Sequence, residues 1–270
     1  MITLPIETHS KRIPLDEWDN HILLTPLDNT RIIDLHVNDE DITDEVADEV
    51  SQQLCAYITA IASIYRPHPF HNFRRASKRV QTMDTLLRQV RCDATHSSVP
   101  ESSCSLEETA LGFATDPLLC FALCLAMLIC DVDHPGVDND TWARENPALA
   151  RYYRHQFIAE QNAIDVAWQL LFSEEYGALQ NALFGVTFES DDEDKSECRR
   201  FRRILVHAVL ATSDKPPHQD RKVCPDGNES DEKQAKESQR ARAILHYLVQ
   251  VCHDNHSLES WDTFIKNNEA

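Results

Sequence analysis

Apolar residues recur at spacings of three and four along much of this chain. Val46, Val50, Leu54, Ile58 and Ile61 form one such stripe, the pattern of a helix with one buried face. Tyr65-Arg66-Pro67 ends it, because proline disfavours helical backbone in the residue before it. A second stripe runs through Val80, Met83, Leu86 and Leu87. The run Pro117 to Cys130, PLLCFALCLAMLIC, is apolar on every face. It is shorter than the ~20 residues needed to cross a bilayer, so it reads as a buried core helix. Ala148 to Leu171, Phe201 to Ala211 and Ala241 to Cys252 are again periodic, and Leu179 to Phe188 carries the chain between two of them. The pattern predicts helices at 41–65, 72–90, 117–130, 148–171, 200–211 and 240–252, with no substantial sheet.

Glycine usage agrees. Five glycines in 270 residues leave little material for hairpin turns, which disfavours an all-β fold. No fixed-period repeat argues for a solenoid or propeller. The chain is long enough to bury a sizeable core. Residues 1–40 mix prolines, acids and short β-rich runs and read as a loosely structured lead-in to a helical domain at 41–270. Polar stretches at 92–108, 189–198 and 214–239 read as mobile insertions; the last holds Pro216, Pro217, Pro225 and Gly227.

Charge narrows the partners. Twenty-six Lys and Arg against 45 Asp and Glu give a formal net charge of −19. A protein that neutralises backbone phosphates needs a basic footprint, so nucleic-acid binding is not expected. Anionic membrane surfaces are disfavoured for the same reason, and no membrane insertion is expected. The start, MITLPIETHSKR, has no apolar h-region, and nine cysteines without a CxxC read as reduced thiols. A cytoplasmic protein is expected.

Four segments place polar residues where a helical core would want apolar ones: HNFRRA (His71 to Ala76), ICDVDHPG (Ile129 to Gly136), LARYYRHQFIAEQN (Leu149 to Asn162) and LATS (Leu210 to Ser213). Asp131-x-Asp133-x-Pro135-Gly136 imitates the start of an EF-hand, but Trp142 stands where the bidentate glutamate belongs. In order and separation, the four segments together resemble the catalytic domain of class I 3′,5′-cyclic-nucleotide phosphodiesterases. Those enzymes carry HNxxHA, HDVDHPGxxN, LAxxYxxxSxxExxN/H and LATD. The resemblance implies an all-α, compact multi-helix domain of HD type. It further implies a metal-dependent hydrolase that opens cyclic AMP or cyclic GMP to the 5′-monophosphate in cyclic-nucleotide signalling. The family uses two ions, zinc with magnesium or manganese, which share an attacking hydroxide.

By that resemblance His71 matches the general acid that protonates the leaving 3′ oxygen. Asp131 matches the metal-bridging aspartate and is intact. His134, Glu160 and Thr212 match groups of the outer shell that hold metal-bound water. The remaining ligand positions are changed. Arg75 stands where a ligating histidine belongs, and a guanidinium has no lone pair to give. Cys130 takes the second histidine position, and a thiolate can bind zinc. The LATD aspartate is Ser213, and the last ligand position aligns with His253, one residue before Asp254. The fixed charge of Arg75 opposes a dication and is expected to pair with Asp131 instead.

The family's base-gripping glutamine and phenylalanine lie beyond its last metal aspartate, and this sequence stops at Ala270; no counterpart is expected here. The resulting expectation is a phosphodiesterase-like chain that is inactive or impaired. One alternative is a working phosphodiesterase with a rearranged Cys130, Asp131 and His253 metal site. The other is a non-catalytic interaction scaffold on the same fold.

Overall fold

The computed structural model describes residues 44–96, 115–185, 194–213 and 229–254, and among them every regular element is a helix. The helices are α1 Asp44–Ile64, α2 Phe73–His96, α3 Pro117–Ile129, α4 Asn139–Glu145, α5 Pro147–Tyr152, α6 Ile158–Leu171, α7 Gly177–Phe184, α8 Asp194–Leu210 and α9 Glu229–His253. One 3-10 turn, Glu174–Tyr176, precedes α7. The lead-in at 1–40, and the insertion stretches at 97–108, 189–193 and 214–228, lie outside the described residues.

Helix α3 is the centre of the molecule. Leu119, Ala122, Leu123, Leu125, Ala126, Met127, Leu128 and Ile129 are all buried, and Leu118, Cys120, Phe121 and Cys124 are partly buried against the same core. Each large side chain withdrawn in this way contributes about 1.5–3 kcal/mol. Pro117 occupies the first turn, where its missing N–H costs nothing, and the Asp116 carboxylate accepts the Leu119 amide at 3.0 Å. Helix α2 packs on one side of α3 and α8 on the other, while α9 touches all three. Helix α1 closes the far side against α6 and α7. There the Tyr57 hydroxyl donates to the Ala167 carbonyl at 3.1 Å, and the Leu179 amide donates to Gln53 Oε1 at 3.0 Å. No described helix is long and apolar enough to cross a membrane.

Several boundaries differ from those read in the sequence. Helix α2 continues to His96, α8 begins at Asp194 and α9 at Glu229, so residues 92–96, 194–198 and 229–239 are helical rather than loop. Acidic residues in the first turn of α8 suit the positive end of the helix dipole, so the acidic run does not have to be an irregular spacer.

The larger correction is at 148–171, which is two helices with a break at 153–157. Arg154, His155 and Phe157 take left-handed backbone, with φ of 53°, 58° and 44°, a conformation costly for residues with a Cβ. Surrounding bonds hold the break: His155 N–H donates to Ala150 O at 2.7 Å, and Gln161 Nε2 to Gln156 O at 2.6 Å. Periodicity could not show it, because the sequence there holds neither glycine nor proline.

Helix α8 also buries a histidine. Burial, followed by the nearby charges of Arg242 and Arg203, pulls His207 down to about 4. The unfolded chain therefore takes up a proton near pH 6.5 that the folded chain refuses until about pH 4. Stability is full above pH 6.5 and falls as pH drops through that window. Between pH 7 and 4 the wild type is expected to lose about 2 kcal/mol more than His207→Gln, allowing for partial screening of the ring. Thermal melts of both proteins across this range check it; parallel curves would refute it.

Candidate active site

The site is built where the start of α2 meets the turn after α3. Asn72 starts α2: its Oδ1 accepts the Arg75 amide at 3.0 Å, and its Nδ2 donates to His68 O and Pro69 O at 3.0 and 2.9 Å. This folds the short 65–72 connection back on itself, and the Tyr65 hydroxyl ties its start to α3 by donating to Leu128 O at 2.5 Å. The turn after α3 is stitched by Val132 N–H to Ile129 O and His134 N–H to Asp131 O. Gly136 has φ of +85°, and a Cβ there would meet the His68 ring at 2.7–2.8 Å. Glycine is required at this point both for the backbone and for the closeness of that ring.

Three imidazoles stack across the junction. His68 and His71 have ring centroids 5.0 Å apart, and His71 and His134 3.7 Å apart, nearly parallel. Burial first, and then the charge of His71, lowers His134 to about 4. His134 Nδ1 accepts the Gly136 amide at 3.0 Å, which assigns the proton of its neutral ring to Nε2. His71 Nδ1 lies 3.1 Å from Asp131 Oδ1. A carboxylate at Nδ1 orients the ring and leaves Nε2 as the atom that can exchange a proton.

The other side of Asp131 holds a residue the sequence reading did not single out. Arg79 Nη1 donates to Asp131 Oδ2 and, at 3.2 Å, to Cys130 Sγ. Asp131 and Arg79 are each only 5% exposed, so this is a buried ion pair. Burial alone would raise the Asp131 carboxyl, but the Arg79 guanidinium and the His71 imidazole outweigh it and hold the group well below the usual range. Cys130 is pushed up to about 12, chiefly by burial, and stays a thiol at neutral pH.

Arg79 therefore corrects the expectation that Arg75 would pair with Asp131. The Arg75 guanidinium lies over the Phe70 ring at 5.5 Å, and Phe70 is 51% exposed. One helical turn separates the two arginines, and Arg79 is the one that enters the core. Its register carried a signal: positions 76, 79, 83 and 87 follow helical spacing, and Ala76, Met83 and Leu87 are all buried. A cation in that stripe must be paired.

The structure places the remaining residues read from the sequence as follows. Glu160 is buried and accepts from Asn139 Nδ2 at 2.9 Å, while Asn139 Oδ1 accepts the Ala159 amide at 2.8 Å. The left-handed break at Phe157 turns the start of α6 toward this bond. Asp133, which the sequence reading did not assign to the site, ties Arg66 at 2.7 Å to Asn162 at 3.1 Å, clamping the turn from both sides. His253, at the end of α9, lies close enough to Arg79 and Asp131 to feel both charges; burial first and then Arg79 lower it. Thr212 donates its hydroxyl to Val209 O at 2.7 Å, within its own turn, and Gln250 of α9 donates to the neighbouring Ala211 O.

A dication does not fit this donor set. Asp131 has one carboxylate oxygen on Arg79 and the other facing His71, and the Cys130 sulfur receives the same guanidinium. Among the described residues no group of three or more His, Cys, Asp and Glu is arranged to hold a metal ion. Protein groups alone make this junction an imidazole–carboxylate–guanidinium chain, which can position an imidazole but supplies no strong nucleophile.

Comparison with known proteins agrees with this architecture. The chain is 28% identical over 159 residues to the probable 3′,5′-cyclic-AMP phosphodiesterase pde-4 of Caenorhabditis elegans; the match covers 59% of this chain and 19% of that protein. The chain thus spans about a fifth of the length of that relative. The phosphodiesterase domain of the RhoPDE fusion protein from the choanoflagellate Salpingoeca rosetta superimposes with a TM-score of 0.50 at 18% identity, covering 84% of this chain and 68% of that one. The family model for 3′5′-cyclic nucleotide phosphodiesterases matches residues 70–269, a span that contains the stacked histidines 71 and 134, Arg79 and Asp131. By that match the chain belongs to the 3′,5′-cyclic nucleotide phosphodiesterase family.

Proposed function

We propose that this chain is a phosphodiesterase-family domain that no longer turns over cyclic AMP or cyclic GMP, and that its fold serves cyclic-nucleotide signalling as a non-catalytic scaffold. One observation carries the reading: the Asp131 carboxylate, matched by resemblance to the metal-bridging ligand, is already neutralised inside the protein by Arg79. Hydrolysis in this family needs a dication to lower the pKa of bound water and to offset charge on the phosphoryl oxygens. A guanidinium offsets charge but generates no hydroxide. His71, as the general acid by resemblance, would then protonate a leaving group that nothing displaces. Arg75 in place of a ligating histidine, Ser213 in place of an aspartate and a protonated thiol at Cys130 weigh in the same direction. Nine cysteines without a CxxC, read as reduced thiols, support a cytoplasmic location.

The rearranged-site reading needs Cys130, Asp131 and His253 to converge on zinc. The proximity of His253 to Asp131 favours it, and the guanidinium shared by Cys130 and Asp131 opposes it. Incubation of the purified chain with cyclic AMP and cyclic GMP, supplied in turn with magnesium, manganese and zinc, separates the two. No hydrolysis above background is expected. Metal-dependent hydrolysis abolished by Asp131→Ala would overturn the proposal in favour of the rearranged site.

A further inference from the structure

We propose that Arg79 is a tethered cation: its guanidinium takes over, within the chain, the charge-neutralising place of an exchangeable dication, so that this junction assembles and stays folded without metal. The inference deepens the reading above by naming what stabilises the site in the absence of a metal, and it is measured without any turnover assay.

The physical argument begins with Asp131. A carboxylate that is 5% exposed is costly unless charge and hydrogen bonds compensate it. One oxygen faces the half-buried His71 ring at 3.1 Å. The other receives Arg79 Nη1, which also reaches Cys130 Sγ at 3.2 Å. One guanidinium therefore satisfies two adjacent residues of α3's C-terminal turn and fastens α2 to α3. A dication arriving at Asp131 would meet that fixed positive charge in a poorly screened interior. To bind, it would have to expel Arg79 and leave a buried guanidinium without its partner, the costly half of breaking a buried pair. Arg79 lies on the buried stripe with Ala76, Met83 and Leu87 and is itself 5% exposed, so leaving Asp131 would not by itself return its charge to water. The cation is attached to the fold and does not exchange.

Thermal melts of the full chain test this. Neither EDTA nor zinc chloride is expected to move the wild-type melting temperature. Arg79→Met and Asp131→Asn are each expected to lower it by roughly 10 °C, because each leaves one buried partner uncompensated. The double variant Arg79→Met/Asp131→Asn is expected to lose clearly less than the sum of the two, since it strands neither charge. Additive losses would overturn the proposal. So would a zinc-induced rise in the wild-type melting temperature that Asp131→Asn abolishes. If Arg79→Met alone fails to fold, the double variant decides: a folded double supports the pairing, and an unfolded double beside a folded Asp131→Asn refutes it. Hydrolysis of cyclic nucleotides by a chain that keeps the Arg79–Asp131 coupling and shows no zinc response would sink the functional reading and leave this one standing. A zinc-stabilised chain without turnover would do the reverse.

Discussion

Restoring histidine at positions 75 and 130 together is expected to create no measurable zinc affinity while Arg79 is present. The same pair combined with Arg79→Met is expected to bind zinc. The reason lies in what each change does at Asp131. Arg75→His and Cys130→His supply neutral imidazole donors, by resemblance at two of the four ligand positions, beside Asp131 and His253. They leave untouched the guanidinium that occupies Asp131 Oδ2, and an ion would still have to displace it. Arg79→Met removes that charge, keeps the helix-forming character of the position, and matches the apolar stripe of α2. Zinc at hundredfold excess over its Kd would then add about 2.7 kcal/mol of stability, a rise of roughly 5–10 °C in melting temperature for a domain of this size. Melts of the double and triple variants with and without zinc chloride check it. Equal zinc responses in the two variants would show that Arg79 is not the obstacle.

Asp116→Ala is expected to be among the most damaging single substitutions in the molecule, although Asp116 lies outside the candidate site. It is 6% exposed, caps α3 through the Leu119 amide, and forms an ion pair with Arg200 of α8. Its loss removes a cap worth ~1 kcal/mol and strands a guanidinium that burial already disfavours. Arg200 keeps Glu197 at 3.3 Å as a fallback, but that carboxylate is half exposed. The sum is a loss of about 3 kcal/mol, or roughly 10 °C in melting temperature. Glu197→Ala, by contrast, removes a part-exposed pair three residues apart on one helix, leaves Asp116 on Arg200, and is expected to cost under ~0.5 kcal/mol. Chemical denaturation followed by circular dichroism measures both. Comparable losses would mean that the Asp116 cap and ion pair do not anchor α3 as argued.

Much of this architecture was readable from residues alone, for identifiable reasons. Helix α3 announced itself because a segment apolar on all faces can only be buried. Helices α1 and α2 did so because their stripes repeat every three and four residues. The DVDHPG turn was legible as a motif by resemblance; the clamp of Asp133 on Arg66 and Asn162, and the packing of Gly136 beneath His68, came only with the structure. His71, Cys130, Asp131 and His134 could be named from their motifs, and all four lie within direct contact of the Asp131–His71 junction. The break at 153–157 stayed hidden because three residues take left-handed backbone without glycine. Its hydrogen bonds come from the local turn, and Asn139 supports the following helix from the neighbouring segment.

What the sequence determined by itself was the helical class, the longer helices in their order, and the chemical inventory at their ends, because periodicity and turn chemistry are local properties; the short helices α4 and α7 and the division of 148–171 it did not show. It also showed that position 75 cannot ligate a metal, because a guanidinium offers no lone pair wherever it is placed. Which arginine neutralises Asp131 was a different kind of question. Arg75 and Arg79 stand one turn apart on the same helix and carry the same charge; only the helical spacing of position 79 with Ala76, Met83 and Leu87 separates them, and that spacing does not say what covers the stripe. The packing of α2 against α3 decided it: Arg79 falls in the stripe of Ala76, Met83 and Leu87 that α3 covers, while Arg75 lies nearer the exposed start of the helix, over Phe70. Burial then made the choice binding, because an enclosed carboxylate must hold a cation and the one that the packing placed beside it was Arg79.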